Sequence, residues 1–322
     1  MTTGRSPILR VSVAGVIAAS AIGWWYSARG PHDEFATLSG HKDGVFSLAL
    51  SPDGTVVASG GGDGDVRLWD VAKQREKAVL RGHEGRVTGL AWSPDGETLV
   101  TGGVDKSMRL WNAKSGKEIA VWPNLPRPVR MVAVSHDGQT VAAALDHDIS
   151  YWNISNRRER RVLRGHLRPI AGMAFLREGL ELASFASDGT VRIWDLAEGR
   201  ELAKMPGPVG HCYGLCVSGD GKMIACVGGA RVHLYDVEKR MPLDSIEPHA
   251  RILCGAAFSP DGRTLAIGTQ ERVVIIWSIP GKKEIARLNG HEFAVGPMAF
   301  LADGKTLITS SHDSTLKLWK VN

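Results

Sequence analysis

Cysteine is scarce, with 4 in 322 residues. Cys212, Cys216, Cys226 and Cys254 form no C-x-x-C pair and no zinc-ligand pattern, which excludes a zinc finger and a disulfide scaffold. Two bridges stay open for an exported domain, and the spacing assigns no pairing. Charge of one sign is also lacking. Lys plus Arg is 39 and Asp plus Glu is 34, a net of +5 that is too mild to imply nucleic acid. Disorder is excluded as well, because hydrophobic residues make up 43% and charged residues 23%. Aromatics total only 7%, yet 10 of them are Trp, and glycine is abundant at 38. The Gly count predicts many tight turns.

Long hydrophobic runs are missing except at the start. Val11 to Tyr26 read VSVAGVIAASAIGWWY without a charge, and Ile8 to Ala28 carry only Arg10. That is about the 20 residues a spanning helix needs, with Trp24, Trp25 and Tyr26 where an interfacial belt would lie. The expectation is a signal anchor over residues 1–28 and a short linker over 29–34. Arg5 and Arg10 before the run, against Arg29 after it, favour an inside N-terminus. The chain is then a single-pass membrane protein with its large domain outside the cytoplasm. A signal peptide cleaved near Ala19-Ser20-Ala21 would instead leave a secreted or periplasmic protein.

The rest of the chain repeats. Trp69, Trp111, Trp152, Trp194, Tyr235, Trp277 and Trp319 are separated by 42, 41, 42, 41, 42 and 42 residues. Each closes a β-rich run such as VRLW, VRIW or LKLW. A Gly-His pair lies 28 residues before the Trp at His41, His83, His166 and His291. Asp follows the aromatic at Asp70, Asp195 and Asp236.

This pattern resembles the WD-repeat β-propeller family from Phe35 to the C-terminus. The resemblance implies an all-β, closed seven-bladed β-propeller of four-stranded antiparallel blades over residues 35–322, preceded by the N-terminal hydrophobic helix. The residues read the same way. Inner strands (VFSLAL, VTGLAW, VRMVAV, IAGMAF, CYGLCV, LCGAAF, VGPMAF) all have Ala or Cys next to last. Ser-Pro-Asp-Gly turns follow three of them, at Ser51, Ser93 and Ser259. Phe35 to Gly40 looks like an outer strand without its own blade, so residues 35–40 are expected to close the last one and remove both sheet edges.

Four constellations recur in phase: His41, Ser59, Asp63, Trp69; His83, Thr101, Asp105, Trp111; His166, Ser184, Asp188, Trp194; and His291, Thr309, Asp313, Trp319. A His, a hydroxyl and an Asp invite a hydrolase reading. Fourfold recurrence argues instead for structure, and the resemblance implies a buried network tying the turn between strands d and a to strands b and c. Blades 3, 5 and 6 depart, with Asn124, Ala142, Gly229, Ile267 and Glu271 at tetrad positions. The ring is expected to be less tightly tied there. Gly60 to Asp65 lacks the Gly-Lys-Ser/Thr of a phosphate loop and the closing Glu of a calcium loop. No inner strand contains Asp, Glu or His, which argues against a channel metal.

The reading is therefore a non-enzymatic protein-interaction scaffold without a cofactor, catalytic residue or metal site. The resemblance implies a partner surface on the top face, made of d–a and b–c turns. Lys42, Arg86, Arg127, Arg168 and Arg251 lie on or beside d–a turns and point to an acidic peptide or protein. The c–d turns on the bottom face carry fourteen cations against seven anions, including Arg157, Arg158, Arg160 and Arg161, and are candidates for anionic lipid headgroups. That Arg run lacks interleaved aromatics, which disfavours nucleic acid. The alternative is a propeller enzyme or small-ligand-binding protein of the envelope.

Overall fold

A computed structural model describes residues 34–176, 180–208 and 212–321. Those residues form seven four-stranded antiparallel sheets. Six blades are consecutive: residues 45–80, 87–122, 131–163, 170–206, 212–246 and 253–289. The seventh combines residues 295–320 with the strand Glu34–Ser39. Each inner strand a neighbours the inner strand of the next blade, and that of blade 7 neighbours that of blade 1, so the ring is closed.

Local chemistry sets the hairpins. Ser51 Oγ donates to Asp53 Oδ1 at 2.6 Å, the Thr55 N–H donates to the same oxygen at 3.0 Å, and the Val56 N–H bonds Ser51 Oγ at 2.9 Å. Gly54 follows at φ 71°, where a side chain would be strained. The arrangement recurs at Ser93, Ser135, Ser218 and Ser259. Each blade packs both faces against neighbours, so strand b is buried along its length, as in Val56–Gly61.

The inner strands approach closely at a small residue in mid-strand. A Cβ on Gly89 would lie 2.8 Å from the Val132 backbone nitrogen, and one on Gly255 2.9 Å from the Gly296 carbonyl oxygen. Near the end of the first inner strand, the Ala49 carbonyl accepts the Trp92 indole N–H from blade 2 at 3.1 Å. Blade 3 has the shortest inner strand, Met131–Val134, preceded by an irregular stretch through Pro123, Pro126 and Pro128.

Glu34–Ser39 pairs antiparallel with Thr315–Lys320 in blade 7. The strand starts one residue before the segment 35–40 marked in the sequence, and Gly40 lies outside it. Glu34 thus leaves the expected linker 29–34 because it pairs with Trp319, and its carboxylate holds Lys317 Nζ at 2.8 Å. The expected helix over 1–28 and the rest of that linker lie outside the described residues. Among the described residues no helix is long and apolar enough to cross a membrane.

Candidate functional site

The structure brings all four His–hydroxyl–Asp–Trp sets together. In blade 1 His41 Nδ1 lies 3.1 Å from Asp63 Oδ1, His41 Nε2 lies 2.8 Å from Ser59 Oγ, and Trp69 Nε1 donates to Ser59 Oγ at 2.8 Å. In blade 2 His83 meets Asp105 at 2.9 Å and Thr101 at 2.7 Å, with Trp111 donating to Thr101 at 2.9 Å. Blade 4 repeats this through His166, Asp188, Ser184 and Trp194 at 3.0, 2.7 and 2.7 Å. Blade 7 does so through His291, Asp313, Thr309 and Trp319 at 2.7, 2.8 and 2.8 Å. One proton order satisfies every atom: indole N–H to hydroxyl, hydroxyl to Nε2, Nδ1–H to carboxylate. Burial lowers the pKa of His41, His83 and His166, which keeps the imidazole neutral as this order requires. Ser59, Thr101, Ser184 and Thr309 are each 0% exposed, so no substrate reaches these hydroxyls.

A second recurring device escaped the sequence reading. Two residues before the aromatic, Arg67, Arg109, Arg192 and Lys317 cross to Glu76, Glu118, Glu201 and Glu34 on the outer strand. Each Glu sits opposite its Trp in the strand register. In sequence Glu76, Glu118 and Glu201 read as c–d turn anions and Glu34 as the end of the linker. The signal that would have found them is Glu seven residues after Trp, at Glu76, Glu118 and Glu201. The clasp also explains the Gly before His. A Cβ on Gly40 would lie 2.8 Å from Arg67 and 3.1 Å from Trp69, and Gly82 and Gly165 are equally crowded.

The d–a and b–c turns share one end of the ring, the top. The Gly62 N–H bonds the Gly44 carbonyl at 2.9 Å, and the Lys42 N–H bonds Asp63 at 2.8 Å. The a–b and c–d turns share the other end, where the Val71 N–H bonds the Thr55 carbonyl at 3.0 Å. The axis holds a cavity of about 610 Å³ lined by inner-strand residues such as Leu48, Leu90, Val132 and Leu215. Among the described residues, no Asp or Glu lines it. Among the described residues no cluster of three His, Cys, Asp or Glu side chains could hold a metal ion.

Lys42, Arg86, Arg127, Arg168 and Arg251 are all exposed at the top. Of the five, only Arg86 lines the axial cavity. Its guanidinium stacks 3.8 Å from the centroid of the Phe46 ring, and Phe46 packs 4.7 Å from His312. Arg127 lies 3.8 Å from Asp146, which also pairs with Arg130 at 3.5 Å. Arg130, Phe46 and His312 belong to this mouth, and their surroundings could not be read from one strand at a time. Leu167 and Phe293, in the d–a turns of blades 4 and 7, are 84% and 58% exposed. On the bottom face the basic c–d turns are partly neutralised. Lys73 pairs with Asp70 at 3.4 Å, Lys239 with Asp236 at 3.6 Å, Arg240 with Glu181 at 3.1 Å, and Lys282 with Asp244. All four cysteines carry reduced thiols, and burial pushes Cys216 up to about 12 and Cys254 up to about 11. Such thiols are poor nucleophiles at neutral pH.

The family model WD40 (WD domain, G-beta repeat) matches residues 33–70, 74–112, 157–195, 240–278 and 282–320. The chain belongs to the WD40 family. Small ribosomal subunit protein RACK1y of Oryza sativa subsp. japonica is 35% identical over 264 residues, covering 77% of this chain and 78% of that protein. Apoptotic protease-activating factor 1 of Rattus norvegicus is 29% identical over 180 residues, covering 56% of this chain and 14% of that protein. Protein FIZZY-RELATED 2 of Arabidopsis thaliana is 26% identical over 170 residues, 49% of this chain and 34% of that protein. The matches to the latter two thus span well under two thirds of those proteins' own lengths.

The WD40 match covers every tetrad and omits the three inner strands of blades 3 and 5. Those two depart furthest. In blade 3 the strand register puts Ala143, facing Ser150, at the hydroxyl position rather than the expected Ala142, and Asn124, at φ 55°, stands at the His offset. Blade 5 substitutes Cys226, Gly229 and Tyr235, whose hydroxyl donates to the Pro206 carbonyl at 2.8 Å. Its His211 lies outside the described residues. Blade 6, which the match includes, keeps one contact: the Arg251 N–H donates to Glu271 Oε1 at 2.8 Å.

Proposed function

We propose that the chain is a non-enzymatic scaffold whose top face docks an acidic segment of a protein partner. Its WD40 membership and its relatives support an interaction role. The observation that carries the choice of face is the charge there. Lys42, Arg86, Arg168 and Arg251 are exposed and, among the described residues, have no carboxylate partner for their side chains, beside exposed Leu167 and Phe293. Unpaired cations around apolar anchors on a stiff ring suit an acidic, partly apolar segment, because little ordering is needed on binding. The test is a pull-down with the full chain against one in which Lys42, Arg86, Arg127, Arg168 and Arg251 are all Ala. Partners retained in full by the variant would refute the face.

A tether is the second part of the reading, resting on the apolar run Ile8–Ala28. The propeller then lies outside the cytoplasm, with the bottom face toward the bilayer, since its first strand, Glu34–Ser39, begins at that end. Resistance to carbonate extraction, with digestion of the propeller by protease added to cells with a permeable outer layer, is expected. Extraction into the supernatant, or full protection, would count against it. Contact between c–d cations and anionic lipid is weakened by the ion pairs above. Vesicle flotation with and without anionic lipid reads that contribution directly.

A further inference from the structure

We propose that the channel mouth between blades 7, 1 and 2 is the primary anion seat of the top face, holding a carboxylate of an acidic partner segment on Arg86 with the His312 imidazole as second contact. This rests on the top-face docking reading and narrows it to one sector and one ligand class.

The top-face cations are not equivalent. Lys42, Arg168 and Arg251 are solvated side chains on turns, and holding them still costs entropy on binding. Arg127 and Arg130 already face Asp146. Arg86 is different on two counts. Its guanidinium is laid over the Phe46 ring, which restrains the plane of its N–H fork. It borders a cavity of about 610 Å³ that, among the described residues, no carboxylate lines. An oriented guanidinium beside a low-dielectric cavity binds a carboxylate more strongly than a solvated lysine does. The cavity below is apolar at Met131, Val132 and Leu215, so it suits an aliphatic side chain next to the acidic one.

His312 extends the seat from blade 7, its ring 4.7 Å from that of Phe46 and tilted 40° to it. The charged groups around it are Arg86, Asp43 and Asp313; burial and then Arg86 lower its pKa, and the two aspartates oppose them. In the free protein it is therefore neutral at neutral pH. A carboxylate arriving on Arg86 cancels part of the repulsion and favours the imidazolium. Binding then takes up a proton, and affinity rises as pH falls toward the lowered value of the free imidazole. Partner carboxylates stay ionised through that window, since they titrate near about 4.

The experiment is selection of a random peptide library on the immobilised full chain, followed by affinity measurements on the enriched peptides. Expected are peptides with Asp or Glu beside an aliphatic residue. Arg86→Gln should weaken them about tenfold or more, and Lys42→Gln or Arg168→Gln by less than about threefold. Lowering pH from about 7.5 to about 6 should tighten wild-type binding severalfold and leave His312→Asn flat. Circular dichroism melts of each variant separate lost binding from lost fold. Acidic peptides that tolerate Arg86→Gln, or lose no pH dependence in folded His312→Asn, overturn the seat while the docking face stands. Enriched peptides without acidic residues, or no enrichment, overturn the face and the seat together.

Discussion

Blades 1, 2, 4 and 7 carry two linked devices, and blades 3, 5 and 6 carry neither in full. In the first group a His–hydroxyl–Asp–Trp chain stitches the top of the blade, and a cation–Glu clasp crosses strands c and d. In the second group the hydroxyl becomes Ala143, Cys226 or Ile267, and the clasp cation facing it becomes Ser150, His233 or Ile275. The losses are correlated because a buried polar chain is stable only when complete. Removing one member strands its partners, and replacing the hydroxyl with an apolar group removes the need for them. In blade 6 the carboxylate left over from the pattern, Glu271, sits at the surface rather than in the interior.

The largest effect should come from cutting a complete network. Asp188 accepts the Leu167 N–H at 2.9 Å, the Thr190 N–H at 3.0 Å and the Thr190 hydroxyl at 2.7 Å, besides His166. Asp188→Ala removes the one acceptor these four donors share, leaving His166 Nδ1 only the Thr190 hydroxyl at 3.2 Å, and should cost about 3 kcal/mol in urea unfolding. Glu271→Ala loses one exposed contact and should cost about 0.5 kcal/mol. Equal costs would break the distinction between the two groups of blades. The indoles sharpen it next. Trp69→Phe loses the bond to Ser59 as well as volume, about 2 kcal/mol, against about 1 kcal/mol for Trp277→Phe, which gives up volume alone. A difference near zero would mean that the indole bond contributes nothing.

The fold was legible because its signals are periodic and local. The recurrence of Trp69 through Trp319 marks strand c, the Ser-Pro-Asp-Gly turns mark the a–b hairpins, and each tetrad keeps fixed offsets within one repeat. What was missed lies across strands or blades. Glu76 looked like turn charge because its partner, Arg67, is on the neighbouring strand. Gly89 gave no hint that the Val132 backbone passes beside it in the next blade. The five top-face cations looked alike in sequence. Arg86 was separated from the rest only by Phe46 on another blade, whose position depends on ring closure.

Acid should discriminate between the two groups more gently. Burial lowers His41, His83 and His166 below 6.5, so the unfolded chain takes up protons first as pH falls. Their contribution is complete above 6.5 and is lost on descending toward the lowered native values. Asp63, Asp105 and Asp188 act in the same direction further down. Burial pushes them up, but hydrogen bonds and the facing imidazole outweigh it and leave them below 3.8, so their contribution is lost as pH drops past that value. Hydrogen exchange, corrected for intrinsic rates, should therefore show amides of blades 1, 2 and 4 losing protection between about pH 7.5 and about pH 5.5. Blade 6, without a tetrad histidine network, should change less. Uniform loss across the ring would mean that acid acts on global unfolding alone.

The smallest contrast concerns the clasp at the seam. Lys317 is 12% exposed and reaches both oxygens of Glu34, and its Nζ also bonds Thr37 at 3.1 Å. Lys282 and Asp244 form a comparable pair with side chains 75% and 74% exposed. Screening and side-chain entropy leave such an exposed pair little net contribution. Lys317→Met should cost about 1 kcal/mol, because it leaves Glu34 half-buried without its cation. The effect should be local. Glu34–Ser39 is held to blade 7 by one strand neighbour only, so its amides should exchange faster in Lys317→Met while those of Val56–Gly61 in blade 1 do not change. If Lys282→Met perturbed the ring as much, charge alone would account for both pairs, and the seam would owe its closure to backbone pairing and to Leu38 packed beneath it.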